Sequence, residues 1–402
     1  MDTKFMTELT HLGASVDLPS SSRPKVAPIY MSSAYVFDSS KTCNDVSYER
    51  KEGYLYGSYG NPTTDCLKEI IQNLECGEAA EVFSSGMSAI TLAIMSQVKS
   101  GDHIIANSVI YGNSFKFLKS ELEGQYNIEV TMVDLNEENL HEYFKDNTKL
   151  VYAESISNPL INVLDIERIS KIAHDYGAKL LVDNTFATPI VCQPLKLGAD
   201  IVVHSATKFL NGHSDIMAGI VVSTKEVMDR VIDLSRTYGP IISPFDAWLL
   251  TRSMRTLELR VNKHCDNAMK LARYLESNDK IGKVFYPGLE SFEDHGLATE
   301  IFNNGQYGAM LAVDLGSLEM IEEFIKRSKL AKIVASLGSF TTSLCDTTIT
   351  HSGMTREERI EMGLPDGLLR ISTGLENIED IIEEFDMIIN EIMKEGVLIN
   401  HG

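Results

Sequence analysis

Short apolar runs alternate with amphipathic segments between about Asn61 and Lys225, and this alternation constrains the fold more than any other feature of the chain. Nearly continuous apolar strands are typical of a parallel sheet that is covered on both faces. We therefore predict an α/β fold with a mostly parallel central sheet and helices on both faces. The predicted strands are residues 103–106, 129–133, 150–153, 179–182 and 200–204.

Helices are predicted between and beyond these strands, at residues 89–98, 166–176, 320–328 and 380–394. A further helix is expected after the turn signal Asn61-Pro62, where apolar residues recur at helical spacing. One long helix is predicted from about Ser243 through Arg260 and beyond. Strands near 309–314 and 368–372 complete a second, smaller set of elements.

The length of 402 residues favours two domains, since single hydrophobic cores stop growing at roughly 250 to 300 residues. Residues 61–245 contain the alternating pattern and are predicted as the main domain. Residues 246–402 are predicted as a smaller α+β domain. Residues 1–60 are rich in Ser, Tyr and Pro, and we predict an arm that packs on a neighbouring subunit.

Charge and composition argue against several classes of partner. Asp and Glu outnumber Lys and Arg by 57 to 36, and the formal net charge of −21 repels phosphate backbones and anionic lipid. No apolar run approaches the roughly 20 residues that cross a bilayer, and the first residues lack the apolar core of a secretory signal. We therefore expect a cytoplasmic protein without nucleic-acid or membrane partners.

Cysteine usage is typical of a reducing compartment. The chain has no CxxC pair and no Cys/His cluster at metal-binding spacing, so we expect free thiols and no metal site. The six cysteines are Cys43, Cys66, Cys76, Cys192, Cys265 and Cys345.

A lysine directly after an apolar strand is the first candidate for chemistry. In residues 203–208, two hydroxyl side chains precede the amine of Lys208. An amine that is sheltered near cationic or aromatic groups has a lowered pKa and can attack an aldehyde. Ser205 and Thr207 could donate hydrogen bonds to a phosphate at the same time. A surface lysine in a polar loop is the alternative interpretation.

A carboxylate follows the preceding apolar strand, 25 residues before Lys208. An electron sink based on pyridine requires a protonated ring nitrogen, and Asp183 could supply the counter-charge. An Asp that caps a turn or a helix after a strand is an equally good interpretation of this segment alone.

Three further signals are weaker by themselves. Residues 84–87 lead into a helix whose N-terminal amides could bind an anion, or which could be an ordinary capped helix. Tyr111 could stack on an aromatic cofactor or be a rim tyrosine without a role. Arg370 lies inside an apolar strand and requires a carboxylate from the protein or from a substrate.

Taken in this order, the motifs make the chain similar to the Cys/Met-metabolism family of pyridoxal-phosphate enzymes. This family includes cystathionine γ-synthase, cystathionine γ-lyase, methionine γ-lyase and O-acylhomoserine sulfhydrylase. The resemblance extends from about Pro28 to Glu376 and implies a type I PLP-dependent transferase fold. The matching segments are Tyr56 with residues 61–63, and residues 84–87, 154–159, 183–185, 205–212, 336–338 and 370–372.

The resemblance implies a role for each matching residue. Lys208 would hold pyridoxal 5'-phosphate as a Schiff base and move protons, and Asp183 would pair with the ring nitrogen. Tyr111 would stack on the ring and assist proton transfer, so the expected catalytic residues are Lys208, Tyr111 and Asp183. Arg370 and Ser336 would position the carboxylate of an amino-acid substrate. Family members are usually tetramers of two dimers with shared active sites, which we also expect here. The other expected cofactor-binding positions are Tyr56 of a neighbouring subunit, Ser58, Gly86, Met87, Asn158, Ser205 and Thr207.

The implied activity is γ-elimination from a sulfur-containing or related γ-substituted amino acid, which gives a 2-oxo acid and ammonia. A γ-replacement on an O-acylhomoserine is the alternative that uses the same residues. Two further alternatives are a non-catalytic binding protein with this fold and an aminotransferase. The first would not form the lysine-bound cofactor, and the second would convert the cofactor to its amine form.

Three positions depart from the family pattern. Ser58 stands where the family has the arginine of Tyr-x-Arg, which predicts weaker cofactor binding unless Arg50 or Lys51 substitutes. Asn113 stands where methionine γ-lyases typically carry a cysteine, which argues against methionine as a dedicated substrate. Residues 339–346 lack a glutamate that cystathionine enzymes often have, so the substrate is left open.

Overall fold

Residue 7 and residues 24–350, 355–361 and 363–395 are described by the structure, which is a computed structural model. Residues 1–6 and 8–23 of the predicted N-terminal arm lie outside this set. The described part of the arm contains one helix, α1 (Ser40–Ser47). No helix among the described residues is both long and apolar enough to span a membrane.

A seven-stranded sheet forms the centre of the larger unit, with the strand order β1-β7-β6-β5-β4-β2-β3. Neighbouring strands are parallel apart from the two pairs that involve β7, which runs antiparallel to β1 and β6. The prediction of a mostly parallel sheet is confirmed. The strands are β1 (Ala79–Phe83), β2 (His103–Asn107), β3 (Glu129–Val133), β4 (Thr148–Glu154), β5 (Lys179–Asp183), β6 (Ile201–Ser205) and β7 (Gly219–Ser223).

Helices cover both faces of this sheet. Along β4, Val151 and Ala153 belong to one hydrophobic core while Leu150 and Tyr152 belong to another, as the alternation of side chains in a strand requires. The helices are α2 (Pro62–Leu74), α3 (Gly86–Gln97), α4 (Gly112–Lys116), a π-helix (Phe117–Glu123), α5 (Gly124–Tyr126), α6 (Ile166–Asp175), α7 (Thr188–Val191) and α8 (Lys225–Tyr238), with 3-10 turns at Leu140–Tyr143 and Pro194–Leu197.

A second sheet of five strands has the order β10-β11-β12-β9-β8 and a hydrophobic core of its own. Its strands are β8 (Val284–Phe285), β9 (Met310–Asp314), β10 (Lys332–Ile333), β11 (Ser343–Asp346) and β12 (Leu368–Ser372). The helices in this half are α9 (Pro244–Met254), α10 (Leu257–Glu276), α11 (His295–Ile301), α12 (Leu318–Arg327), α13 (Thr347–Thr350), α14 (Arg356–Glu361) and α15 (Ile378–Lys394), with a 3-10 turn at Asn303–Gly305.

The prediction of one long helix from Ser243 through Arg260 was wrong, because two helices, α9 and α10, occupy this stretch. At the break, the Ser253 carbonyl accepts hydrogen bonds from the Thr256 amide at 3.2 Å and from Arg260 Nη2 at 3.0 Å. The same guanidinium donates to the Phe209 carbonyl at 2.8 Å. Hydrophobic periodicity alone does not reveal such an interruption, since the apolar face continues across it. The predicted domain boundary at residue 245 falls in the first turn of α9 and stays a prediction.

Candidate active site

The carboxyl ends of β4, β5 and β6 meet the N-terminus of α3 around a cavity of about 340 Å³. Ligands bind at this end of the strands in open α/β sheets. The second sheet supplies the opposite wall through Ser336, Cys345 and Arg370. The other lining residues are Ser85, Gly86, Met87, Ile90, Tyr111, Glu154, Ile156, Asn158, Asp183, Thr185, Phe186, Ser205, Thr207, Lys208, Met217, Ala335, Leu337 and Ile349.

Lys208 lies in the loop from β6 to β7, and its amine points into the cavity. Its Nζ donates a hydrogen bond to Ser336 Oγ at 2.8 Å. Burial and the positive charge of Arg370 lower the pKa of Lys208 to about 8. The amine is therefore closer to its neutral, nucleophilic form at physiological pH than a surface lysine is.

Asp183 and Glu154 are the last residues of β5 and β4, and they are paired in the register of these parallel strands. Both side chains are buried. Burial raises the pKa of Asp183, while hydrogen bonds from the hydroxyl and the amide of Thr185 oppose this shift. Burial and the nearby Asp183 raise the pKa of Glu154 well above its usual value. A cation in the cavity would relieve this pair of buried carboxyl groups.

Arg370 on β12 links the second sheet to the larger unit. The side chain is buried, and its Nη1 donates to Asn158 Oδ1 at 2.9 Å while Nη2 donates to the Ser336 carbonyl at 3.3 Å. These three residues come from distant parts of the chain, and all three line the cavity. The guanidinium thus keeps its charge close to the amine of Lys208.

The start of α3 forms a cradle of small residues beside β6. Ser85 caps the helix by accepting a hydrogen bond from the Ser88 amide at 3.1 Å. A Cβ atom on Gly86 would lie 2.7 Å from Ser205 Oγ, so only glycine allows this close approach. Thr207 lies next to this cradle and accepts a hydrogen bond from the Ala218 amide at 2.9 Å.

Tyr111 precedes α4 and lines the cavity. Its amide donates to Glu154 Oε1 at 2.7 Å, and its hydroxyl accepts from Asn113 Nδ2 at 2.9 Å. The structure does not bring every predicted residue to this place. Tyr56 and Ser58 do not line the cavity within one chain, and about half of the Tyr56 side chain is exposed.

Several lining residues were not predicted from the sequence. Glu154 could have been found, because a carboxylate at the end of β4 must neighbour Asp183 at the end of the adjacent parallel strand. Thr185 could have been found as the hydroxyl two residues after Asp183. No pattern in the sequence indicates that Met217 and Ile349 reach the cavity, whereas Cys345 belongs to residues 339–346, the segment that the family resemblance relates to substrate choice.

These residues fit the cofactor that the resemblance implies. A phosphate suits the capped N-terminus of α3 with the hydroxyls of Ser205 and Thr207, and an aldehyde suits the amine of Lys208. A protonated ring nitrogen would supply the opposing charge that buried Asp183 otherwise lacks in this pocket. In the part of the chain that the structure describes, no three His, Cys, Asp or Glu side chains gather as a metal site.

Comparison with known proteins gives consistent matches over nearly the whole length. The profile of a family described as Cys/Met metabolism PLP-dependent enzyme matches residues 6–389. An L-methionine gamma-lyase of Fusobacterium nucleatum subsp. polymorphum is 41% identical over 371 residues, which cover 91% of this chain and 93% of the relative. A cystathionine beta-lyase of Lactococcus lactis subsp. cremoris is 38% identical, with 95% of this chain and 98% of the relative covered.

The solved structures agree with these sequence matches. An O-acetylhomoserine (thiol)-lyase of Campylobacter jejuni subsp. jejuni superposes with a TM-score of 0.90 at 28% identity. The superposition covers 96% of this chain and 99% of that one. That structure contains a pyridoxyl-lysine phosphate. The type I fold expected from the sequence is therefore confirmed.

Proposed function

Because the chain belongs to the Cys/Met-metabolism family of PLP-dependent enzymes, we propose that it catalyses γ-elimination from a sulfur-containing or related γ-substituted amino acid. The products are a 2-oxo acid, ammonia and the thiol or other group released from Cγ. The observation that carries this proposal is the half-buried amine of Lys208, which lines one cavity together with the carboxyl group of Asp183 and the guanidinium of Arg370.

Each side chain has a defined task in this proposal. Lys208 holds the cofactor and afterwards moves protons at Cα and Cβ of the substrate. Asp183 holds the positive charge of the ring nitrogen, and Tyr111 covers the ring. Arg370, with Ser336 beside it, binds the carboxylate of the substrate through its planar fork. When bound, pyridoxal phosphate supplies an aromatic system that accepts the electrons released at Cα.

The phosphate is held by the cradle at the start of α3. Gly86 and Met87 offer backbone amides, and Ser205 and Thr207 offer hydroxyl groups. Asn158, which lines the cavity, would contact the phenolic oxygen of the ring. Tyr56 of a neighbouring subunit completes the phosphate site, and Ser58 gives it a weaker contact than an arginine would.

A substrate panel tests the reaction. Purified, cofactor-loaded protein is mixed in turn with L-methionine, L-homocysteine and L-cystathionine, and the oxo acid and the thiol are identified. Formation of 2-oxobutanoate with ammonia is the expected result. From L-cystathionine, cleavage at Cγ also gives cysteine, whereas cleavage at Cβ would give pyruvate and homocysteine and would replace γ-elimination by β-elimination.

A γ-replacement on an O-acylhomoserine is the second candidate, and the likeness to an O-acetylhomoserine (thiol)-lyase favours it. The same cavity could serve both reactions, since they differ in whether water or a thiol completes the turnover. A product that forms only when an acylhomoserine and a thiol are both present would reject the lyase. The Lys208→Ala variant is the control in both assays, because it removes the amine.

The proposal extends to assembly and location. We place the protein in the cytoplasm as a homotetramer of two dimers, in which the arm and Tyr56 of one subunit contribute to the site of its neighbour. The exposure of Tyr56 in the single chain supports this arrangement. The formal net charge of −21 supports a small amino acid as the ligand and argues against nucleic acid.

A further inference from the structure

Two side chains on one face of strand β4 form hydrogen bonds with residues 111–114, the segment that contains Tyr111 and the start of α4. Tyr152 and Glu154 are two residues apart, so both point to the same side of the sheet. The Tyr152 hydroxyl donates to Ser114 Oγ at 3.1 Å, and Glu154 Oε1 accepts from the Tyr111 amide at 2.7 Å. Helix α4 has only five residues and begins without a side-chain cap, so these contacts hold its N-terminal end.

The carboxyl group of Glu154 also lies close to the residue that holds Arg370. The backbone amide of Asn158 lies close enough to this carboxyl group to oppose the rise of its pKa. The side chain of Asn158 in turn accepts from Arg370 Nη1 at 2.9 Å. One buried carboxyl group therefore connects the segment of Tyr111 with the residue that holds Arg370.

We propose that Glu154 is a positioning residue, whose carboxylate sets the place of Tyr111 and, through Asn158, the place of Arg370. This inference rests on the proposed function, in which Tyr111 covers the cofactor ring and Arg370 binds the substrate. The side chain lines the cavity next to Asp183, where a second buried carboxyl group is costly. Its hydrogen bond from the Tyr111 amide explains why a carboxyl group occupies this position, since an apolar side chain would leave that amide unpaired.

Two conservative variants separate position from charge. Glu154→Gln keeps the length of the side chain and an oxygen acceptor but has no charge. Glu154→Asp keeps the charge but withdraws the acceptor by one methylene group. If position matters, cofactor binding is weakened about three- to tenfold in Glu154→Asp, as loss of an ordered aromatic contact predicts, and much less in Glu154→Gln. The reverse order would overturn the proposal, because Glu154 would then act through its charge.

The measurements are the dissociation constant of pyridoxal phosphate from the apoprotein and the induced circular dichroism of the bound cofactor, which reports the orientation of the ring. The KM for the amino-acid substrate reports Arg370. In Glu154→Asp, we expect a weaker dichroic band and a raised KM. An unchanged band and KM in this variant would also reject the role.

The matched control is Glu384, a buried carboxyl group in the second sheet's half of the molecule that accepts hydrogen bonds from the amides of Lys329 and Leu330. It does not line the cavity. Glu384→Asp therefore makes the same chemical change elsewhere, and we expect it to leave the dichroic band and the KM unchanged. Equal effects of the two Asp variants would show a general loss of stability and reject the positioning role.

A double-mutant cycle with Tyr111→Leu tests the path of the effect. If Glu154 acts through Tyr111, the effects of Glu154→Asp and Tyr111→Leu are not additive. The double variant should then weaken cofactor binding by a factor that is at least about threefold smaller than the product of the two single factors. Full additivity would reject this path. Failure of the proposed function is seen separately, because the unaltered protein would then form no 2-oxobutanoate in the substrate panel, while cofactor binding and the dichroic band would still test Glu154.

Discussion

The amine of Lys208 lies where two influences act in the same direction. Burial disfavours the ammonium form, and the neighbouring guanidinium of Arg370 repels it. Together they lower the pKa of Lys208 from 10.5 to about 8. At pH 8, about half of the molecules therefore carry the neutral amine, compared with roughly one in three hundred for an unperturbed lysine.

This pKa predicts how the apoprotein reacts with its cofactor as a function of pH. The rate of covalent capture of pyridoxal phosphate should rise with pH, reach half of its maximum near pH 8 and level off above about pH 9, because the neutral amine is the reactive form. In Arg370→Met, the repelling charge is gone, the pKa of Lys208 rises, and the constant region begins at higher pH. Stopped-flow absorbance measures both profiles.

An exposed arginine supplies the control for this experiment. Arg230 lies on the outer side of α8, and Arg230→Gln should leave the profile unchanged. A profile that does not move in Arg370→Met would contradict the assigned cause of the lowered pKa.

For single residues, the sequence predicts those at the ends of strands better than those elsewhere in the lining of the cavity. Lys208 and Asp183 follow apolar strands directly, and parallel strands bring such positions to one edge. Asn158 and Ser336 were expected only from the family resemblance. Cys345 reaches the cavity because β11 pairs with β12 in a register that only the folded sheet defines.

Among the elements, β5 and β6 are joined to α2 by a buried polar cluster behind Asp183. The cluster consists of Glu75, Asn184 and His204, none of which is exposed. Glu75 Oε1 accepts from Asn184 Nδ2 at 2.9 Å and lies 2.6 Å from His204 Nε2. Asn184 directly follows Asp183, so this cluster fixes the end of β5 against α2.

We predict that Glu75→Leu lowers the free energy of unfolding by about 3 to 5 kcal/mol, because removal of one partner leaves buried polar groups without compensation. Glu75→Gln keeps an acceptor and should cost less. Urea-induced unfolding of the apoprotein measures both. The exposed pair of Arg230 and Asp233 provides the control, and Asp233→Leu should change the stability by less than about 0.5 kcal/mol. A similarly small effect of Glu75→Leu would contradict the prediction.

Some helices and strands can be predicted from local sequence patterns, whereas others depend on distant parts of the chain. Strand β3 and strand β12 were predicted with their observed limits, since apolar runs between polar residues define them. The reversed strand β7 was not predicted, because its direction depends on its partners β1 and β6. Beside the break between α9 and α10, Arg260 donates to the distant carbonyl of Phe209, a contact that hydrophobic periodicity does not contain.

In the whole molecule, the cavity lies between two sheets. One face of the smaller sheet has a hydrophobic core of its own, while Met310, Ala312 and Leu368 on its other face join the core of the larger unit. The larger sheet provides the amine and the carboxyl groups, while the smaller one provides the guanidinium. Several aromatic side chains are exposed on the single chain, among them Tyr56, Tyr59, Tyr238 and Phe245. Exposed aromatic groups of this kind are enriched in subunit interfaces, which agrees with the proposed shared site.

A shared site predicts complementation between two inactive variants. Lys208→Ala keeps Tyr56, and Tyr56→Ala keeps Lys208, so a mixed dimer has one complete site. Random mixing of equal amounts by joint refolding should restore about a quarter of the specific activity, because half of the dimers are mixed and each has one active site. Mixing each variant with Lys208→Ala, Tyr56→Ala double-variant chains is the control. If mixing restores no activity, Tyr56 does not contribute to the active site of the neighbouring subunit.

The reversal of β7 determines how the two sides of the cavity can adapt. Because β6 and β7 are adjacent and antiparallel, the loop with Lys208 leaves the sheet and returns to it at neighbouring positions. Both ends of this loop are thereby fixed in the seven-stranded sheet. The opposite wall is therefore the part of the cavity that can adjust to substrates with side chains of different length. Redesign of residues 335–349, with the Lys208 loop left intact, should change the range of substrates.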